Sequence, residues 1–169
     1  GNTLSGNAGN NLINGGAGGD LLMGKAGLDT FRLDSPATAD QILDFVSRSD
    51  KLQLKQSAIP IGNRDAVINN PITTSGPGGF SVDAELVICS RNLVGILTPL
   101  TAAQALGGAS SAYSFGASRL FIVANGSATA VFRFVSSGND ALIASTELTL
   151  LTSLTSLSSL EVTDCQFVL

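Results

Sequence analysis

Large apolar residues recur every nine positions at the start of the chain, at Leu4, Ile13, Leu22 and Phe31. Glycine, asparagine and aspartate fill the intervals, so each apolar residue belongs to a segment too short for a helix and suited to a strand of about three residues. The same phase governs the other positions. Three full units run over residues 6–14, 15–23 and 24–32, preceded by the tail of a fourth at 1–5. Glycine opens each full unit, Gly9, Gly18 and Gly27 hold its fourth position, and the sixth reads Asn2, Asn11, Asp20, Asp29. A flexible glycine-rich linker uses such residues without phase. Sharp turns at positions one to six and a short strand at seven to nine imply a coil with two units per turn. Leu4 then stacks on Leu22, and Ile13 on Phe31.

Beyond the repeats the pattern changes. Segments 40–45 and 49–54 alternate apolar and polar residues on either side of a turn at 47–50, and read as two strands. Residues 56–79, with Pro60, Pro71 and Pro77, read as loop with short strands. A strand is predicted over 84–90. Thr98 and Pro99 are a helix N-cap and first-turn proline for a short helix that Gly107-Gly108 stops. Asn125-Gly126 between 119–124 and 127–135 signals a hairpin. The apolar, hydroxyl-rich end, 141–169, suits a terminal pair of strands completing a sheet. These elements predict an all-β chain with one short helix, divided into a repeat region at 1–34 and a β-rich cap at 35–169.

Composition sharpens the picture in three places. Charged residues are only 13% of the sequence and the net charge is -4, which argues against a nucleic-acid backbone as partner and for a cation. No run of 18 apolar residues occurs, so no membrane span is expected. The opening Gly1-Asn2-Thr3 lacks the features of a secretory leader, and a start in mid-repeat suggests a fragment or processed product. Cys89 and Cys165, with no CxxC spacing and no His in the sequence, exclude the usual zinc sets and leave two readings, buried thiols or a disulfide.

The nonapeptide phase is similar to the GGxGxDxUx pattern of calcium-binding parallel β-helix arrays. Loops eighteen residues apart stack on one side of such a coil, and their carbonyls and sixth-position side chains enclose an all-oxygen gap. Six to eight oxygens in flexible geometry suit Ca2+; magnesium wants a stricter octahedron, and zinc or copper wants nitrogen or sulfur. Asn11 and Asp29 should face one ion together with carbonyls of Gly6, Ala8, Gly24 and Ala26. On the other side Asp20, with Gly15 and Ala17 in its loop, should meet Asp34 and Asp40, which finish the last site. Asn at positions 2 and 11, and Asn7 and Lys25 in place of the second glycine, depart from the pattern and reduce its carboxylate charge. Asp44 and Asp50 read as solvated strand and turn carboxylates.

Residues 40–54 make the likeness specific. Asp40-Gln41-Ile42-Leu43-Asp44-Phe45 followed by Ser49-Asp50-Lys51-Leu52-Gln53-Leu54 resembles the D-x-I-x-D-F…G-x-D-K-I-x-L stretch after the last repeat in RTX (repeats-in-toxin, hemolysin-type) proteins; Arg48-Ser49 stands where that family often has glycine. The resemblance implies a short parallel β-roll followed by the cap, a ligand role for Asp40, a secreted or cell-surface location, and an uncleaved type I secretion signal in the C-terminal region. The function it implies is a calcium-binding structural module that folds outside the cell. The alternative is the calcium-binding tail of a secreted protease, lipase or epimerase whose active site lies upstream. Copies of the chain or other surface proteins are candidate partners. No catalytic motif such as GxSxG or HExxH is present, so this segment is not expected to be an enzyme.

Overall fold

Each nonapeptide contributes one short strand in the computed structural model, which describes residues 1–169. These are β1 (Thr3–Ser5), β2 (Leu12–Asn14), β3 (Leu21–Met23) and β4 (Thr30–Leu33). Successive strands fall on opposite sides, so β1 pairs in parallel with β3, and β2 with β4. Leu4 stands in register with Leu22, and Ile13 with Phe31. One large apolar residue per unit is enough, because the neighbours of each strand residue point to the opposite face.

The chain beyond the repeats prolongs both stacks. β5 (Asp40–Ile42) adds to β3, and β6 (Lys51–Lys55) adds to β4, so the two strands flanking the 47–50 turn enter opposite sheets rather than pairing with each other. From the far end of the sequence, β11 (Leu148–Thr155) lies parallel on β5 and β12 (Cys165–Val168) parallel on β6. The expected terminal strands therefore form, one in each sheet. Two apolar columns result. Leu4, Leu22, Ile42 and Leu154 line one sheet; Ile13, Phe31, Leu52 and Cys165 line the other.

The first sheet continues through β10 (Ala128–Val135), β9 (Ser118–Ala124) and β8 (Leu86–Asn92) to β7 (Ile72–Thr74), reaching eight strands against four in the second. β9 and β10 are an antiparallel hairpin, with Gly126 and Ser127 between the bonded Asn125 and Ala128, and Gly126 at φ +86°. β8 and β9 are parallel, joined by a crossover that contains α1 (Pro99–Leu106). Parallel pairing demands such a detour, and the helix covers the outer face of the sheet. Leu120-Phe121-Ile122-Val123 thus reads as an unbroken apolar run, because both faces of β9 are buried.

The chain has two cores. A cluster of 20 buried residues fills the space between the sheets and runs from Ile13 and Phe31 in the repeats to Leu160 and Phe167 near the end. Repeats and cap thus share one core. A second cluster, including Phe121, Phe132 and Phe134, packs the outer face of the larger sheet against α1. Cys89 belongs to the second and Cys165 to the first, and both are buried free thiols.

Candidate metal centre

The sixth position of each repeat closes its loop and holds the preceding turn. Asp20 accepts a hydrogen bond from the amide of Asn2 (2.5 Å), and Asp29 accepts one from the amide of Asn11 (2.8 Å). The backbone pairs in the other sense, since the amide of Leu21 donates to the Asn2 carbonyl and that of Thr30 to the Asn11 carbonyl. The same relation passes into the cap. Asp40 accepts from the Asp20 amide (3.0 Å), and Asp50 from the Asp29 amide (2.9 Å). Each sixth-position side chain also folds over the glycine that opens its loop. A Cβ on Gly15 would lie 2.7 Å from Asp20 Oδ2, and one on Gly24 would overlap Asp29 Oδ2, so both positions exclude any side chain.

Four carboxylates in this ladder are almost fully enclosed: Asp20 at 1%, Asp29 at 1%, Asp40 at 6% and Asp50 at 3% exposure. None is in an ion pair; the chain's one ion pair is Arg48–Glu161, at the surface. Burial raises the Asp40 carboxyl above its ordinary 3.8, the charges of Asp20 and Asp34 raise it further, and the bond from the Asp20 amide opposes them. Asp50 is raised in the same way, by burial first and by the charges of Asp29 and Asp44, against amide bonds from Asp29 and Val46. Asp20 Oδ2 is buried with no hydrogen-bond partner. A buried carboxylate without a cation is costly, because the protein interior does not replace the lost hydration.

The fold brings together some of the residues named from spacing and separates others. Asn11 and Asp29 are brought together, and the loops of Gly6 and Gly24 stack closely enough that a Cβ on Gly6 would lie 2.7 Å from the Gly24 carbonyl oxygen. Ala8, Ala17 and Ala26 occupy the exposed bends of their loops, with Gly15 half-buried beneath. Asp20 and Asp40 are bonded neighbours. Asp34 is near enough for its charge to act on Asp40, but its Oδ2 accepts from the Asn14 side chain at 2.6 Å. No three acidic, histidine or cysteine side chains converge on one point, so any ion held here must draw on carbonyl oxygens as well. Orphaned carboxylate oxygen, stacked carbonyl-bearing loops and an absence of nitrogen or sulfur ligands fit calcium.

Two residues correct the sequence reading. Asp50 is buried rather than solvated, and Asp44 accepts from the amides of Gly24 (2.9 Å) and Lys25 (2.8 Å), tying the last repeat loop to the cap. Their offsets, 20 and 21 residues from their partners instead of 18, hide them from a search at the repeat period. The D-x-I-x-D-F and D-K segments are the signal that marks them. A third, Asp164, has no sequence signal at all: it is fully buried and accepts from the Arg48 amide, the Ser47 hydroxyl and the Glu161 amide, sealing the 47–50 turn.

Comparison with known proteins bears on the repeats. Residues 1–31 match the RTX calcium-binding nonapeptide repeat in four copies, a structural motif that binds Ca2+ and occurs in secreted bacterial proteins. Neither a curated protein nor a solved structure matches the chain. No helix is long and apolar enough to cross a membrane. With its nine-residue phase, its stacked loops and its ladder of buried carboxylates, the first 31 residues of this chain belong to the RTX family of calcium-binding repeats.

Proposed function

We propose that this chain is a calcium-dependent folding module of a secreted or cell-surface protein: a β-roll at residues 1–34, closed by a cap at 35–169. The observation that carries this reading is the set of four buried carboxylates, Asp20, Asp29, Asp40 and Asp50, that no cationic side chain neutralises. Calcium supplies that charge when bound, through hard, flexible oxygen coordination. The chain's own residues supply the rest. Glycines at the loop openings let the side chains of Asp20 and Asp29 fold inward, the backbone amides orient one oxygen of each carboxylate, and the apolar columns fix the spacing of the turns. Asp20 and Asp40, with Asp34 beside them, are the best candidates for the site at the junction with the cap; Asn11 and Asp29 form a second with one less charge.

The repeats bury little apolar surface of their own, so the carboxylates weigh heavily in the balance against chain entropy. Where calcium is scarce the chain stays open, as an exported chain must; outside the cell, binding to the native state alone draws it into the fold. In this reading the 141–169 segment acts twice, as a type I export signal in the open chain and as β11 and β12 afterwards. Far-UV circular dichroism and thermal unfolding test the proposal. Calcium should raise the melting temperature and strand signal, chelator should reverse both, and Asp20→Ala should weaken the response most. A spectrum and melting temperature indifferent to calcium and chelator overturn the reading.

A further inference from the structure

The cap holds a group of cationic and amide donors that the calcium array does not use. Arg64 and Arg133 have no carboxylate within ion-pair distance, and neither guanidinium makes a hydrogen bond to the protein. The charge of Arg64 reaches Arg133, where it adds to burial in lowering that guanidinium. Beside Arg64 lies Gln56, at 3% exposure, whose Oε1 accepts from the Ile61 amide at 2.8 Å. That bond fixes the orientation of the side-chain amide. Its Nε2 is then left as a buried donor with no partner, as is Arg133 Nε. These are two of the four such atoms in the protein, and both are donors at one end of the sandwich.

A cavity of about 270 Å³ opens here, lined by Gln56, Ser57, Pro60, Arg64 and Leu169. Acceptors nearby are already committed. The Pro60 carbonyl accepts from the Ser118 hydroxyl, Asp65 accepts from the Val67 amide and the Asn63 side chain, and Glu85 accepts from the amides of Asn63 and Asn69. What remains is a concave site edged by two guanidiniums, a carboxamide N–H and the Ser57 hydroxyl, with no free carboxylate. Planar guanidinium forks recognise oxyanions in two-point geometry, and carboxylate and tetrahedral oxyanions share that chemistry.

We propose that this cavity is an oxyanion-binding site, with Arg64 and Arg133 supplying charge and Gln56 a directional donor. The site is separate from the calcium ladder and does not depend on it. Like-charged guanidiniums repel, so an oxyanion between them relieves the repulsion and satisfies donors that water reaches poorly.

The test uses the calcium-loaded chain at constant ionic strength in chloride, titrated with sodium sulfate or sodium acetate while the Gln56 side-chain amide is followed by ¹⁵N-resolved NMR. Saturable movement of that signal is expected with at least one of the two anions, and which anion moves it identifies the oxyanion geometry. Arg64→Ala and Arg133→Met should each weaken the apparent affinity at least tenfold, whereas Arg91→Ala, remote from the cavity, should leave it unchanged. If neither anion moves the signal, or if the movement is linear and equal in all variants, the proposal is overturned. Because Arg133→Met could disturb β10, the exposed Arg64→Ala variant alone decides the matter when its dichroism matches the parent.

Discussion

Asp40 has opposite effects on the fold with and without a cation. Its carboxyl titrates above the ordinary 3.8 in the metal-free fold, through burial and the charges of Asp20 and Asp34. A raised carboxyl contributes stability that is full below the unfolded value and is lost as pH rises through the folded one. In chelator, Asp40→Asn should therefore be more stable than the parent at pH 7, with the difference shrinking as pH falls toward about 4. In calcium the order should reverse at pH 7. Denaturant unfolding under the two conditions measures both signs, and a variant less stable than the parent in chelator as well as in calcium rules the account out. Glycine makes a second residue-scale test. Gly24→Ala should cost about 1–3 kcal/mol, since its Cβ collides with the Asp29 carboxylate, while Gly76→Ala meets nothing and should stay within about 0.5 kcal/mol of the parent. The likeness to RTX proteins also gains a physical reason at this scale. Arg48, where that family often has glycine, sits at φ +70°, a region that favours glycine, with its amide held by Asp164 and its guanidinium by Glu161.

At the scale of elements, legibility tracked locality. The nonapeptide strands, the helix from Pro99 to Leu106 and the 125–126 hairpin could be read because their signals lie within a few residues of what they specify. α1 is a clear case. Thr98 and Thr101 form a reciprocal cap, and Thr98→Ala should cost about 1 kcal/mol in denaturant unfolding without changing calcium affinity. What could not be read was the partner of each strand. Asp40–Ile42 and Lys51–Lys55 alternate just as a hairpin would, but their apolar residues continue the Leu22 and Phe31 columns, which separates them into different sheets. β11 and β12 join those columns from over 100 positions away, a relation that no local pattern encodes. The candidate site divides along the same line. Asn11, Asp20 and Asp29 come from the period, Asp40 from the period and the likeness together, and Asp44 and Asp50 were hidden by the longer turn.

On the scale of the whole molecule, the shared core of repeats and cap couples calcium to residues far from it. Removing calcium should expose both clusters in one transition rather than melt the coil alone. The cysteines report this directly. The Cys165 thiol is pushed up to about 12 by burial and by Asp164, and it ends the column that Ile13, Phe31 and Leu52 begin. A thiolate-selective reagent should leave Cys165 unmodified in calcium and label it rapidly in chelator. Equal labelling in both states would show that the cap folds without the coil. Acid tests a different part of the fold: burial disfavours ionised Glu147, yet bonds from the Ser137 amide, Ala144 amide and Ser137 hydroxyl outweigh it and hold the carboxyl below its ordinary value. Its contribution is present above the unfolded value and lost as pH falls through the folded one, so Glu147→Gln should flatten the acid limb of the stability profile.

The ladder of side-chain bonds has a direction. Every carboxylate in it grips the amide of the turn before it, from Asp50 to Asp29 to Asn11 and from Asp40 to Asp20 to Asn2. Each turn is thus secured by its C-terminal neighbour and owes nothing to its N-terminal one. Assembly must begin at the cap and grow toward the N-terminus, one interchangeable unit at a time. The array is therefore a ratchet of arbitrary length with a single anchored end. Deleting residues 15–23, one whole step, should leave a chain that still folds with calcium, whereas deleting eight or ten residues from the same place should not.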